Sequence, residues 1–364
     1  MIPEAREAWL EASERYIGNP SSLHRMGDRA DKALALAREE LAGLLGCETG
    51  DIVWTSGATE SSNTVLRQFS ENPTGVAWVS AIEHPCVDVP TRHFFAKRNR
   101  FMPVTEAGVL DVERLKVELG RRRPGIIATM AANNETGVRQ PWQQVLELSR
   151  EAKVPYFCDA TQWLGKLAAA GLGDCDYVSG SGHKFGGPRG VGFLKCPSGS
   201  TKALLFGGAQ EDGRRAGTEN VPGVLAMVRA LSVREGFIKA GKVDERLKMR
   251  DDFISQVQEK LPECQVLGAA CDRLWNTVSM LMPGNDCRQR WIVKLDKAGF
   301  AVSSGSACAS GKEEPSHVLR AMGVAPEDTG RVIRISSSWE TGSEDWNRLL
   351  AAIRGVHAEL GAEG

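Results

Sequence analysis

The sequence predicts an α/β protein. A large domain would carry a mostly parallel sheet covered by helices on both faces, followed by a smaller α+β C-terminal domain. Three observations carry this expectation. Short, continuously apolar runs alternate with helical stretches over the first half of the chain, the pattern of strands buried on both faces. From about residue 220 the texture changes to a charge-rich helical stretch followed by strands of different spacing. The length of 364 residues also exceeds one ordinary domain of about 150. With 42% hydrophobic and 25% charged residues the composition is that of a globular chain, which excludes disorder for most of it.

Taken in order, residues 4–16 read as a short amphipathic helix and Asn19-Pro20-Ser21-Ser22 as a turn. Ala30, Ala33, Leu34, Ala37, Leu41, Leu44 and Leu45 recur at helical spacing, and Gly46 supplies a C-cap. Strands are expected at 52–55, 76–80, 126–131, 154–158, 177–179 and 191–194, with helices near 59–69, 85–97, 111–119 and 141–152. One long helix is expected over 221–260 as the domain boundary. Strands at 265–267, 277–282, 300–302 and 332–335 follow, with helices near 286–298, 315–322 and 343–358. The expected division is 15–240 for the large domain, with 1–14 and 241–364 forming the small one.

Lys and Arg total 45 and Asp and Glu 46, so the net charge is −1. A near-neutral chain is a poor nucleic-acid binder by bulk electrostatics. No apolar run approaches the ~18 residues of a membrane helix. The opening MIPEAREAWLEASERY is acidic and amphipathic rather than a secretory signal, so a cytoplasmic protein is expected. The 9 cysteines are scattered, and none forms a zinc-type spacing, so no metal is expected. Most read as small buried hydrophobes, Cys158 and Cys287 among them. The 39 glycines cluster at 180–192, 207–217 and 305–311, where backbone must approach something closely.

Two loops carry chemistry. Ser56-Gly57-Ala58-Thr59-Glu60 follows a strand and opens a helix, which suits either an anion or a plain helix cap. Ser181-Gly182-His183-Lys184, followed by Phe185-Gly186-Gly187-Pro188, places a lysine in a Gly-rich loop. It reads as an exposed loop lysine or as an amine able to attack a carbonyl. Asp159 ends an apolar strand, and an acid there needs a cationic partner. A phosphate cradle, a carboxylate for a ring nitrogen and a Schiff-base lysine, in that order, are what pyridoxal 5′-phosphate requires.

On these and longer motifs the chain resembles the cysteine desulfurases, enzymes of the class V aminotransferase group with pyridoxal-phosphate fold type I. The motifs are SGATESSN (56–63), EHPCV (83–87), NNETGV (133–138), DATQWLGKL (159–167), SGSGHKFGGPRGVGFL (179–194), GGAQEDGRRAGTENV (207–221), SSGSACASGKEEPSHVLRAMG (303–323) and IRIS (333–336). Position by position, the resemblance implies that Lys184 holds the cofactor covalently. It implies that Ala58, Thr59, Ser181 and His183 bind its phosphate, helped by Thr218 from a second subunit of a homodimer. His84 would stack on the ring as a catalytic residue, Asp159 would pair with the ring nitrogen and Gln162 with the ring hydroxyl. Asn134, also a cofactor contact, and Arg334 would hold the substrate carboxylate. Cys308, in a loop of Ser, Gly and Ala, would take the sulfur of L-cysteine as a persulfide for an acceptor protein, in the branch that commonly feeds iron–sulfur assembly or tRNA thiolation.

The chain departs from the family pattern at its start. The sequence opens in the helix that normally follows a strand and an Asp-Asn-Ala-Ala-Thr-like loop, so that strand and loop are expected to be missing. It also stops soon after the helix at 343–358, so the tail with which longer relatives dock a scaffold protein is not expected. A selenocysteine or cystine-type lyase, an aminotransferase of the same fold, or a weakly active homologue are the alternative readings.

Overall fold

The computed structural model describes residues 1–284, 290–304 and 316–362. Cys308 and Cys287, and the glycines of 305–311, lie outside the described residues. The chain divides into two compact units. The first comprises Met1–Met102, Val112–Ala131 and Gln140–Ala240; the second comprises Pro103–Asp111, Ala132–Arg139 and the chain from Gly241 onward.

The first unit contains strands β1 (Ile52–Thr55), β2 (Ala77–Ser80), β3 (Asn99–Met102), β4 (Ile126–Met130), β5 (Tyr156–Asp159), β6 (Tyr177–Ser181) and β7 (Gly192–Lys195). They form one sheet in the order β1-β7-β6-β5-β4-β2-β3. The run from β6 to β3 is parallel, and β7 lies antiparallel to both β6 and β1. Helices α1 (Pro3–Arg15), α2 (Arg25–Leu45), α3 (Ala58–Ser70), α4 (Pro85–Phe95), α5 (Val112–Leu119), α6 (Trp142–Ala152) and α7 (Val221–Lys239) complete the unit. Val53, Ala77, Val79, Ile126, Ala128, Phe157, Tyr177 and Leu194 alternate along the strands and pack with Val65 and Leu66 of α3 and Val87 and Phe95 of α4. Every residue of β1, β2, β4, β5, β6 and β7 is buried, as the unbroken apolar runs require. Strand β3, Asn-Arg-Phe-Met, lies at the sheet edge and is only partly buried, so it lacks the apolar signature and escapes a sequence reading.

Two stretches at the unit boundaries differ from expectation. Residues 1–14 belong with the large unit: α1 packs on α7, and the Ile2 amide donates to the Gly186 carbonyl at 2.8 Å. The stretch 221–260 is two helices, α7 and α8 (Lys242–Lys260), because Gly241 takes a left-handed φ of 72° that no α-helix continues. The division between the units falls at this break.

The second unit holds β8 (Gln265–Val266), β9 (Thr277–Leu281), β10 (Ser303–Ser304) and β11 (Val332–Ser336), with α8, α9 (Arg290–Lys297), α10 (His317–Ala321) and α11 (Ser343–Ala362). Its sheet is antiparallel, in the order β10-β11-β9-β8. Val278, Met280, Ile333 and Ile335 meet Phe253 and Val257 of α8, Trp291 and Leu295 of α9, and Trp346 and Ile353 of α11. The strand expected at 300–302 lies instead at Ser303–Ser304, because Phe300 and Val302 serve as packing against this core rather than as ladder residues.

A backbone close approach fixes the large sheet at one end. A Cβ on Gly192 would lie 2.4 Å from the Gly180 carbonyl oxygen and 2.6 Å from the Cα of Gly57. Gly192→Ala is therefore expected to cost about 2–3 kcal/mol of stability, the upper range for overpacking. Gly236→Ala, at an exposed position of α7 with open space around it, should instead be neutral or gain up to about 1 kcal/mol. Urea midpoints for the two variants check this; equal midpoints would show that the backbone adjusts freely at Gly192.

Candidate active site

Strand β1 ends at Thr55, and the chain turns through Ser56 and Gly57 into α3, whose N-cap Gly57 offers no side-chain cap. The Ala58 amide instead donates to the Ser181 hydroxyl at 2.8 Å, which ties α3 to the end of β6. The first-turn amides, with exposed Thr59 beside them, stand at the positive end of this helix. The turn is braced by Glu60, which accepts from the Ser56 amide at 2.8 Å and pairs with Arg215 at 2.9 Å. Burial alone would raise the Glu60 carboxyl, but Arg215 and Ser56 hold it below its ordinary value. Arg215 belongs to the Gly-rich loop that ends in exposed Thr218.

At the end of β6 the chain makes a tight turn through Gly182, His183 and Lys184. His183 and Lys184 are exposed. Partial burial, then the positive charges of Lys184, Arg189 and Lys166, keep His183 below its usual pKa. Lys184 and Arg189, with the α3 N-terminus, make an electropositive locus that suits a phosphate.

Asp159 closes β5, whose neighbour β6 runs parallel with Asp159 opposite Ser179. It is buried at 4% exposure. Its Oδ1 accepts from the Thr161 amide and the Ser179 hydroxyl, both at 3.0 Å. Its Oδ2 receives only the weakly donating Cys86 thiol at 3.8 Å among the described residues. Burial, reinforced by the charge of Asp159, pushes the adjacent Glu83 well above the carboxylate range. A buried carboxylate oxygen with so poor a donor suits a protonated ring nitrogen. The donor set thus fits a phosphorylated aromatic aldehyde. Gln162 is half-buried in the turn after Asp159. His84 is the exposed N-cap of α4, and its Nδ1 accepts from the Cys86 amide at 3.1 Å, which leaves the neutral ring's proton on Nε2.

Asn134 and Arg334 come together within the second unit. Arg334 projects from β11, and its Nη1 donates to the Asn134 backbone carbonyl at 3.0 Å. Burial lowers its pKa, partly offset by the negative charge of Glu135. The 132–139 loop is pinned by Asn133, whose Oδ1 accepts from the amides of Glu135 and Thr136, each at 2.9 Å.

Several site residues are not singled out by sequence reasoning: Glu60, Glu83, Glu135, Arg215 and Lys166. Lys166 is buried, donates to the Lys184 carbonyl at 3.3 Å, and is brought down to about 7 by burial and then by the Lys184 charge. A lysine inside the apolar run WLGKLAAAGL is the signal that points to it. Of the described cysteines, Cys86, Cys158, Cys175, Cys196 and Cys264 are buried and Cys47 and Cys271 partly so. Among the described residues no helix is long and apolar enough to cross a membrane.

The Aminotransferase class-V family profile matches residues 2–349. The cysteine desulfurase of Cereibacter sphaeroides is 36% identical over 370 residues, covering 100% of this chain and 94% of that protein. The cysteine desulfurase IscS of Dictyoglomus turgidum is 34% identical over 367 residues, covering 98% and 92%. Among solved structures, a NifS-like protein superposes with a TM-score of 0.89 at 28% identity, covering 99% of this chain and 96% of the other. SspA in complex with cysteine superposes with a TM-score of 0.78 at 25% identity, covering 92% and 95%. The mostly parallel sheet, the family profile and these relatives define a pyridoxal-phosphate-dependent enzyme of fold type I. The chain belongs to the class V aminotransferase family and, within it, to the cysteine desulfurases.

The Glu60–Arg215 pair supplies a test of the cradle. Glu60→Gln should lose about 1–2 kcal/mol at neutral pH, as for a charged hydrogen bond removed from a partly buried site. Because the folded-state pKa is depressed, this contribution is present above the ordinary Glu value of about 4.3 and disappears as pH falls through the lower folded value. Denaturation of both proteins across pH checks it: the gap must close on acidification, and a constant gap would assign the loss to something other than the charge.

Proposed function

We propose that the protein is a pyridoxal 5′-phosphate-dependent cysteine desulfurase that takes sulfur from L-cysteine, releases L-alanine and passes the sulfur from Cys308 to an acceptor protein. One observation carries the reading: the ends of two neighbouring parallel strands bring Asp159, with its weakly served Oδ2, beside the turn that bears Lys184 and the Ala58–Ser181 cradle. The names of the relatives support the substrate, as does the neighbouring structure solved with cysteine.

In this reading Ala58, Thr59, Ser181 and His183 hold the phosphate, and Thr218 of a second copy completes that contact in a homodimer. Asp159 Oδ2 would keep the ring nitrogen protonated, Gln162 would take the ring hydroxyl and His84 would pack against the ring. When bound, the cofactor supplies an electron sink for the pair released at the substrate α-carbon. Arg334 and Asn134 hold the substrate carboxylate, Arg334 by its planar pair of donors. Lys184 Nζ would hold the cofactor and would move the substrate α-proton. The Cys308 thiolate forms a bond to the substrate sulfur as the carbon–sulfur bond breaks. The electron pair stays with the carbon that becomes the methyl group of alanine after protonation, and the sulfur remains on Cys308 as a persulfide.

Lys184→Ala protein mixed with the cofactor should take up no borohydride label and form no alanine; label at another lysine with activity intact would remove Lys184 from its role. Cys308→Ala should keep the cofactor's visible absorbance yet lose at least ~10²-fold in alanine production, the scale of a missing catalytic group. Mass spectrometry after one turnover should place the sulfane sulfur on Cys308. Sulfur on Cys86, Cys158 or Cys287, or near-normal turnover of the variant, would favour a lyase or aminotransferase instead. Sedimentation should show a dimer at working concentration, and a fully active monomer would exclude the composite site at Thr218.

A further inference from the structure

Glu135 is a buried acid that the mechanism above does not use. It sits in the 132–139 loop, one residue from Asn134, whose carbonyl takes the Arg334 Nη1 donor at 3.0 Å. Its Oε2 accepts from the Ser316 hydroxyl at 2.6 Å. Ser316 in turn caps α10 by accepting from the Leu319 amide at 3.2 Å, so the group that meets Glu135 is itself held in place. On the loop side Asn133 fixes the Glu135 amide at 2.9 Å. From β11 the charged group acting on Glu135 is Arg334, from α10 the polar group is Ser316, and from its own loop it is Asn133. Burial brings the carboxyl up to about 7, with Ser316 and Arg334 pulling the other way.

A buried acid one residue from the carbonyl that holds a guanidinium, and within reach of its field, shares one electrostatic account with it. With Glu135 ionised, part of the field of Arg334 is cancelled internally. With Glu135 protonated, the full charge of Arg334 faces any arriving anion. A carboxylate bound to Arg334 repels ionised Glu135 and favours its neutral form.

We propose that Glu135 is a positioning residue that sets how strongly Arg334 holds the substrate carboxylate, and that it takes up a proton when that carboxylate binds. The inference rests on the reading of Arg334 as the carboxylate clamp. It predicts that affinity for carboxylate ligands falls as pH rises through neutrality, while a Gln at this position, neutral at every pH and able to accept from Ser316, removes the dependence.

The test uses the cofactor-loaded protein and 3-mercaptopropionate. This ligand has the carboxylate and thiol of cysteine but no amine, so it cannot exchange with Lys184. Calorimetric binding between about pH 6 and about pH 8.5 should show affinity falling roughly tenfold in the wild type, with proton uptake at the upper end seen as a dependence on buffer ionisation enthalpy. Glu135→Gln should bind with nearly constant affinity and no such uptake. A flat wild-type profile, or a Glu135→Gln profile that falls like the wild type, overturns the proposal. Arg334→Ala separates the two readings. If it leaves the ligand's affinity unchanged, the clamp assignment itself fails; if affinity collapses in Arg334→Ala while Glu135→Gln still titrates like the wild type, only the role of Glu135 fails. Should Glu135→Gln not fold, Glu135→Asp keeps a titrating acid on a shorter arm and should move the midpoint of the affinity profile away from that of the wild type; an unmoved midpoint overturns the proposal.

Discussion

The cradle depends on one steric constraint, the contact of three backbones with no side chain between them. Gly57 at the mouth of α3, Gly180 in β6 and Gly192 in β7 approach so closely that a methyl group on Gly192 would enter the space of the other two. Gly180 is equally constrained, since a Cβ there would lie 2.4 Å from the Phe193 ring. This contact sets the start of α3 against the end of β6, and only in that position can the Ala58 amide reach the Ser181 hydroxyl. The lysine-bearing turn continues directly from β6, so the cradle and Lys184 are located by the same three glycines.

Charge is arranged around this frame by burial. Glu60 and Arg215 tie the Gly-rich loop to the first turn of α3, and Glu211 ties its other arm to Arg38 at 2.8 Å while accepting from the Trp54 amide at 2.9 Å. Both pairs join loop to scaffold, because a carboxylate buried there without a guanidinium would be costly. Under the sheet end the logic is reversed. Glu83 is driven toward its neutral form by burial beside Asp159 and accepts from the Met130 amide at 2.7 Å. Two acids thus share one buried region. The second unit repeats the device with a single acid, Glu135, set against Arg334.

The sequence by itself determined the layered α/β class, most strands of the large sheet and the Gly-rich loops of the candidate site. Strands buried on both faces must be continuously apolar, and loops that bring backbone against backbone must be glycine, so both leave local signatures. Edge strand β3 left none, because half its surface needs no apolar residue. The split of 221–260 at Gly241 rests on one backbone angle, which a single glycine in a helical stretch does not announce. The membership of α1 was decided by its packing on α7 and by the hydrogen bond from Ile2 to Gly186, neither of which has a local sign.

For the candidate site, motif chemistry singled out Asp159, Lys184 and the α3 turn, because each combines a functional group with a strand end or a Gly-rich loop. The supporting acids and cations were decided by tertiary structure alone. Glu60 meets Arg215 across 155 positions of sequence and Glu135 meets Ser316 across 181. In the sequence an acid on a helix or in a loop looks like any solvated charge. Whether it is buried, and which partner reaches it, depends on long-range packing, and burial is what changes its protonation.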